Sequence, residues 1–73
     1  MKTIDYNELL NLARTAALYA KRRGYYYGIH MWCIMINNWF EKNDCKLDDI
    51  PPDIIDQIKD LHLMYSEYFN ELQ

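Results

Sequence analysis

Apolar positions recur along this chain at helical spacing in three separate stretches. In the first, Tyr6, Leu9, Ala13, Ala16 and Ala20 follow one another at intervals of three and four residues, and Leu10 and Ala17 widen the stripe. Asp5 and Glu8 have the spacing of a capping box, and Ile4 and Leu9 that of a hydrophobic staple. Lys21, Arg22 and Arg23 fill a last turn, and Gly24 suits the position just past it. The pattern predicts a helix over about residues 6–23.

The second stretch carries Ile29, Trp32, Ile36 and Trp39, with Cys33 and Phe40 alongside. It predicts a helix over about 29–42, with Cys33 turned to the core and Asn43 as a left-handed cap. Tyr25 to Gly28 reads either as a loop or as a first turn, because glycine weakens a helix passing through it. Residues 44–51 read as a connection. Pro52 then suits a first helical position, and Asp53 and Asp56 favour a helix N-terminus. Ile54, Ile58, Leu61, Tyr65, Tyr68 and Leu72 form the most regular seam in the chain and predict a helix over 52–72.

Three helices with short connections predict an all-α, compact three-helix up-down-up bundle that fills residues 1–73 as a single domain. The alanine stripe of the first helix matches Trp32 and Trp39 of the second, since small residues facing large rings let helices approach. The second helix, as the middle one, needs a wide apolar arc, which would absorb Met35.

Composition agrees with a folded helical chain. Of 73 residues, 51% are hydrophobic and 15% aromatic, which argues against disorder. Two glycines and two prolines argue against a turn-rich β fold. A chain this short buries only ~60% of the surface its unfolded form exposes, so modest stability is expected. The net charge is -3, but residues 1–40 are net basic and residues 41–73 strongly acidic. The basic end of the first helix and the acidic start of the third each complement a helix dipole, so this asymmetry needs no charged partner. The polar N-terminus does not resemble a secretory leader. The longest apolar run, from Ile29 to Ile36, is broken by His30 and is far short of the ~20 residues of a membrane span. The expectation is a cytoplasmic chain, away from membranes, with Cys33 and Cys45 reduced.

Four groups of residues could carry function. Lys21-Arg22-Arg23-Gly24-Tyr25-Tyr26-Tyr27-Gly28 interleaves cations with rings that could stack on bases. Its plainer reading is a dipole-matched helix end, with Glu67 and Glu71 placed to pair with the cations. Asp53, Asp56, Asp60, Glu67 and Glu71 share one stripe of the third helix, either a solvated face or an imitation of a phosphate backbone. Leu18, Met31 and Ile34 fall off the apolar seams of their helices, as residues of an interface do. His30, Cys33, Cys45 and His62 could in principle ligate zinc, but they lack paired ligand knuckles. No metal or cofactor is therefore expected. There is no phosphate loop, nucleophile elbow or H-E-x-x-H motif, so catalysis is not expected either.

A short, compact helical chain rich in Asn, Ile, Lys, Asp and Tyr is similar in style to many small proteins of bacteriophages and mobile elements. That style implies an inhibitor or adaptor that occupies a host protein. The expected function is thus a non-catalytic protein-interaction module, with Leu18, Arg22, Arg23, Tyr25, Tyr26, Tyr27, Met31 and Ile34 as its contact residues. The alternatives are nucleic-acid binding through Lys21 to Tyr27, and a structural homo-oligomer.

Overall fold

A computed structural model describes the backbone of residues 4–72 and the side chains of residues 4–63. Three helices account for most of it: α1 (Tyr6–Arg23), α2 (Tyr25–Asn43) and α3 (Pro52–Leu72). A single 3-10 turn, Leu47–Asp49, lies in the last connection. The chain is an all-α three-helix bundle.

The sequence signals for α1 hold with one change. Asp5 caps the helix by accepting from the Asn7 N–H at 3.0 Å. Glu8 does not complete a capping box. Its carboxylate instead accepts from Lys42 Nζ of α2 at 3.0 Å. The partner across the hairpin wins because it is a cation, whereas the local alternative is one neutral N–H.

Between α1 and α2 stands one residue. Gly24 adopts φ 109°, ψ 153°, a region almost closed to residues with a side chain. Its N–H donates to Ala20 O at 3.0 Å, and its carbonyl accepts from Gly28 N–H at 3.1 Å. One glycine therefore closes α1 and opens α2. For this reason α2 starts at Tyr25 rather than near residue 29. Gly28 does not break the helix, because its missing side chain is where α1 passes. A Cβ there would overlap that of Ala20 and lie 2.8 Å from the Ala20 Cα.

The hairpin is antiparallel. Ala20 meets Gly28 at its tip, while Glu8 meets Lys42 and Tyr6 meets Trp39 (ring centroids 6.3 Å apart) at its open end. At the end of α2 the left-handed residue is Asp44 (φ 49°), not Asn43. Asn43 stays helical, and its Nδ2 donates to Trp39 O at 2.9 Å.

α1, not α2, is the shared helix. α2 and α3 each pack against it and touch one another sparingly. Leu9, Leu10 and Ala13 of α1, Trp39 of α2 and Ile58 of α3 form the core, together with Cys45 and Ile50. Those last two correct the sequence reading. Cys45 was expected as a loop thiol and is buried, whereas Cys33 was expected in the core and is exposed. The connection is thus an anchor. Lys46 N–H donates to Asp49 Oδ2 at 3.0 Å, which tightens the 3-10 turn and sets Ile50 into the core. Burial, then the Asp49 carboxylate, raises the Cys45 thiol above its ordinary pKa and keeps it protonated.

α3 begins as Pro52 predicts, with Pro51 O accepting from the N–H groups of Ile54 and Ile55. Ile54 and Leu61 are half-buried and flank Ile58. The seam residues Tyr65, Tyr68 and Leu72 lie outside the described side chains. His62 meets Trp32 edge-on, with centroids 4.9 Å apart. Its burial lowers the imidazole pKa.

Two stability predictions follow from this packing. Gly28→Ala should improve local helix propensity by up to about 1 kcal/mol, yet destabilise the domain by about 1–3 kcal/mol through overpacking on Ala20. A melting temperature several degrees lower, partly restored by adding Ala20→Gly, is the expected result. An unchanged melting point would mean that the helices do not cross this closely. The second prediction concerns acid. The unfolded imidazole titrates near about 6.5, and the folded one binds a proton less readily. As pH falls through that value the unfolded state gains a proton that the folded state refuses, so stability declines; at higher pH the term vanishes. Between about pH 7 and about pH 5 the wild-type melting point should fall further than that of His62→Phe.

Candidate functional site

One flank of the α1–α2 hairpin is not covered by the described side chains of α3. A shallow groove of about 240 Å³ runs along it, lined by Glu8 and Leu12 of α1 and by Met35, Asn38, Trp39 and Lys42 of α2. The Glu8–Lys42 ion pair spans one end. Both partners are substantially solvent-exposed, so the bridge contributes little to stability. The Trp39 indole N–H is buried and has no hydrogen-bond partner among the described residues.

Helix geometry places the candidate contact residues around this groove. At ~100° per residue, Met31 lies ~80° around α2 from the buried Trp39, and Ile34 lies ~140° around. Met31 is accordingly half-buried, while Ile34 is 43% exposed. Tyr27, 37% exposed, sits seven residues before Ile34 and so on nearly the same line. Tyr27, Met31 and Ile34 therefore form one continuous apolar stripe beside the groove. Leu18 is 54% exposed, but it points away from the core on the outer surface of α1, half a turn from Leu9. It does not join the stripe.

The tip of the hairpin gathers the other candidates. Lys21, Arg22 and Arg23 are exposed, and none forms an ion pair with a described residue. The Arg23 guanidinium lies over the Tyr27 ring, 5.5 Å from its centroid. Tyr27 also meets Tyr19 edge-on at 5.7 Å, and Tyr25 meets Tyr26 edge-on at 5.8 Å. Tyr25 is half-buried, whereas Tyr26 is 86% exposed. Glu67 and Glu71, the expected counter-charges for this cluster, lie outside the described side chains.

Elsewhere, Asp53, Asp56 and Asp60 are exposed on α3, as a solvated face would be. Among the described residues, no three His, Cys, Asp or Glu side chains converge as a metal site requires. His30 and Cys33 are exposed, Cys45 is in the core and His62 packs on Trp32. No helix among the described residues is long and apolar enough to cross a membrane. Sequence reasoning missed Leu12, Met35 and Asn38 as groove residues. The signal was present, because each lies three or four residues from another residue of the groove on its own helix.

Comparison with known protein families, characterised proteins and solved structures gives no match to this chain.

Proposed function

We propose that the chain is a non-catalytic protein-interaction module that binds through the open flank of its α1–α2 hairpin. The observation that carries this reading is the apolar stripe of Tyr27, Met31 and Ile34 beside a groove to which no described side chain of α3 contributes. Such a stripe loses free energy to water in the isolated chain and regains it when covered. The polar rim fits the same use. Arg22, Arg23, Tyr25 and Tyr26 stand at one end, and Glu8 and Lys42 at the other. Arginine and tyrosine are favoured where interfaces are anchored. An inhibitor or adaptor acting on a host protein is the form of this function that the composition suggests.

Affinity for a partner isolated on the immobilised chain should fall by about tenfold or more on Ile34→Glu or Tyr27→Ala. Stability should change by no more than about 0.5 kcal/mol for Ile34→Glu, since the side chain is already exposed. Leu18→Ser, on a different face, should leave binding unchanged. Collapse of the fold on Ile34→Glu would make Ile34 a core residue and end this reading.

Nucleic-acid binding remains the second reading. It is favoured by the exposed Tyr26 ring beside three cations with no ion pair to a described residue. It requires a gel shift with single-stranded DNA or RNA at low salt that weakens steeply as salt is added. It also requires that Arg22→Ala with Arg23→Ala abolish the shift. No shift at low salt rejects it.

A further inference from the structure

We infer that the open flank of the hairpin is self-complementary, and that its occupant is a second copy of this chain, docked antiparallel about Ile34. The inference rests on the reading of this flank as an interaction surface and names its partner. Two observations carry it.

The first is position. Ile34 is the midpoint of α2, which runs from Tyr25 to Asn43. A half-turn about an axis passing Ile34 lays two α2 helices side by side over their full length, with Ile34 against Ile34. Such a contact is isologous and closes on itself as a dimer.

The second is charge. Tyr27, Ile34 and Glu41 are spaced by seven residues and lie on nearly one line of the helix surface. The half-turn brings Tyr27 of one copy opposite Glu41 of the second copy. Arg23 already lies over that tyrosine ring, so its guanidinium meets the carboxylate. Symmetry makes this pair twice. Arg23 and Glu41 are both exposed, and neither forms an ion pair with a described residue. More broadly, residues 9–40 contain no Asp or Glu, while Arg14, Lys21, Arg22 and Arg23 all lie there. The tip therefore carries Lys21, Arg22 and Arg23, while at the open end Lys42 is taken up by Glu8 and Glu41 and Asp44 leave an acidic balance. Antiparallel docking sets each tip against the opposite sign, whereas parallel docking would set like against like.

Sedimentation or light scattering of the full chain, from about 1 μM to about 1 mM in low salt, tests this. The mass should rise with concentration from 8.9 kDa towards twice that value. Arg23→Glu and Glu41→Arg should each weaken the dimer by at least about tenfold. The double variant, which restores opposite charges across the interface, should bring affinity back to within about threefold of wild type. Ile34→Glu, which sets carboxylates face to face on the axis, should leave only monomer. Strict monomer at every concentration overturns the inference, as does a dimer that tolerates Ile34→Glu, or single charge reversals that the double variant does not rescue. A monomer that still binds a foreign protein, and loses it on Ile34→Glu, overturns the self-docking alone. Loss of fold in that variant would overturn the interaction reading, while the exposed Arg23 and Glu41 variants would still decide the dimer.

Discussion

The close crossing of α1 and α2 at Ala20 and Gly28 is the constraint from which the remaining geometry follows. Gly24 is the whole connection, so the two helices have no slack with which to change register. Ala20 and Gly28 lie four residues either side of Gly24, and their small size lets the backbones nearly touch. From that fixed point, two antiparallel helices advance at ~1.5 Å per residue. Residues equally distant from the turn must then meet, and Leu9, Tyr6 and Glu8 arrive beside Trp39 and Lys42. The Glu8–Lys42 bridge is a consequence of this register rather than its cause.

The same crossing limits how much the hairpin can bury. Close-packed alanines and a glycine bring the helices together but offer little apolar area of their own. The open end is filled by Trp39 and Leu9, and one side is covered by α3, Cys45 and Ile50. The side chains of the other flank reach this core only at its edge, where Leu12 packs against it. Leu12, Met31 and Met35 are left half-buried, with Ile34 and Tyr27 more exposed.

The parts of this fold that were legible in the sequence are those set by local chemistry. The Asp5 cap, the Gly24 stop and the Pro52 start each act within a few residues, and the helix ends they mark were correct. The start of α2 was not legible, because glycine in a helix is unfavourable by intrinsic propensity. What makes Gly28 acceptable is its contact with Ala20 of the other helix, eight residues earlier in the chain. The α2 surface itself was read mostly as it stands. Gly28 meets α1 at Ala20, while Trp32, Ile36, Trp39 and Phe40 of the expected seam do lie in or against the core. Cys33, by contrast, is exposed, and Met35 lines the groove. Cys45 and Ile50 were invisible for another reason. They lie in a connection of eight residues, too short to show any periodicity. Within the candidate surface, the misfit of Ile34 was legible from its angle on the helix. Its association with Tyr27 and Met31 required knowing that α2 continues unbroken to Tyr25.

That continuity links fold to function. With a helix starting near residue 29, Tyr27 would belong to a loop, and its ring would have no fixed relation to Ile34 or Glu41. With α2 unbroken from Tyr25, the three positions share one line. The glycine that permits the crossing thus also permits the stripe, since any larger residue at position 28 would push α2 off α1. The order of charges then gives the stripe a direction. Acidic residues are absent from residues 9–40, and a one-residue turn folds that stretch back on itself. Three of its four cations, Lys21, Arg22 and Arg23, therefore stand at one end of the hairpin, while Glu41 and the Glu8–Lys42 pair stand at the other. An apolar stripe with opposite charges at its two ends is complementary to its own reverse.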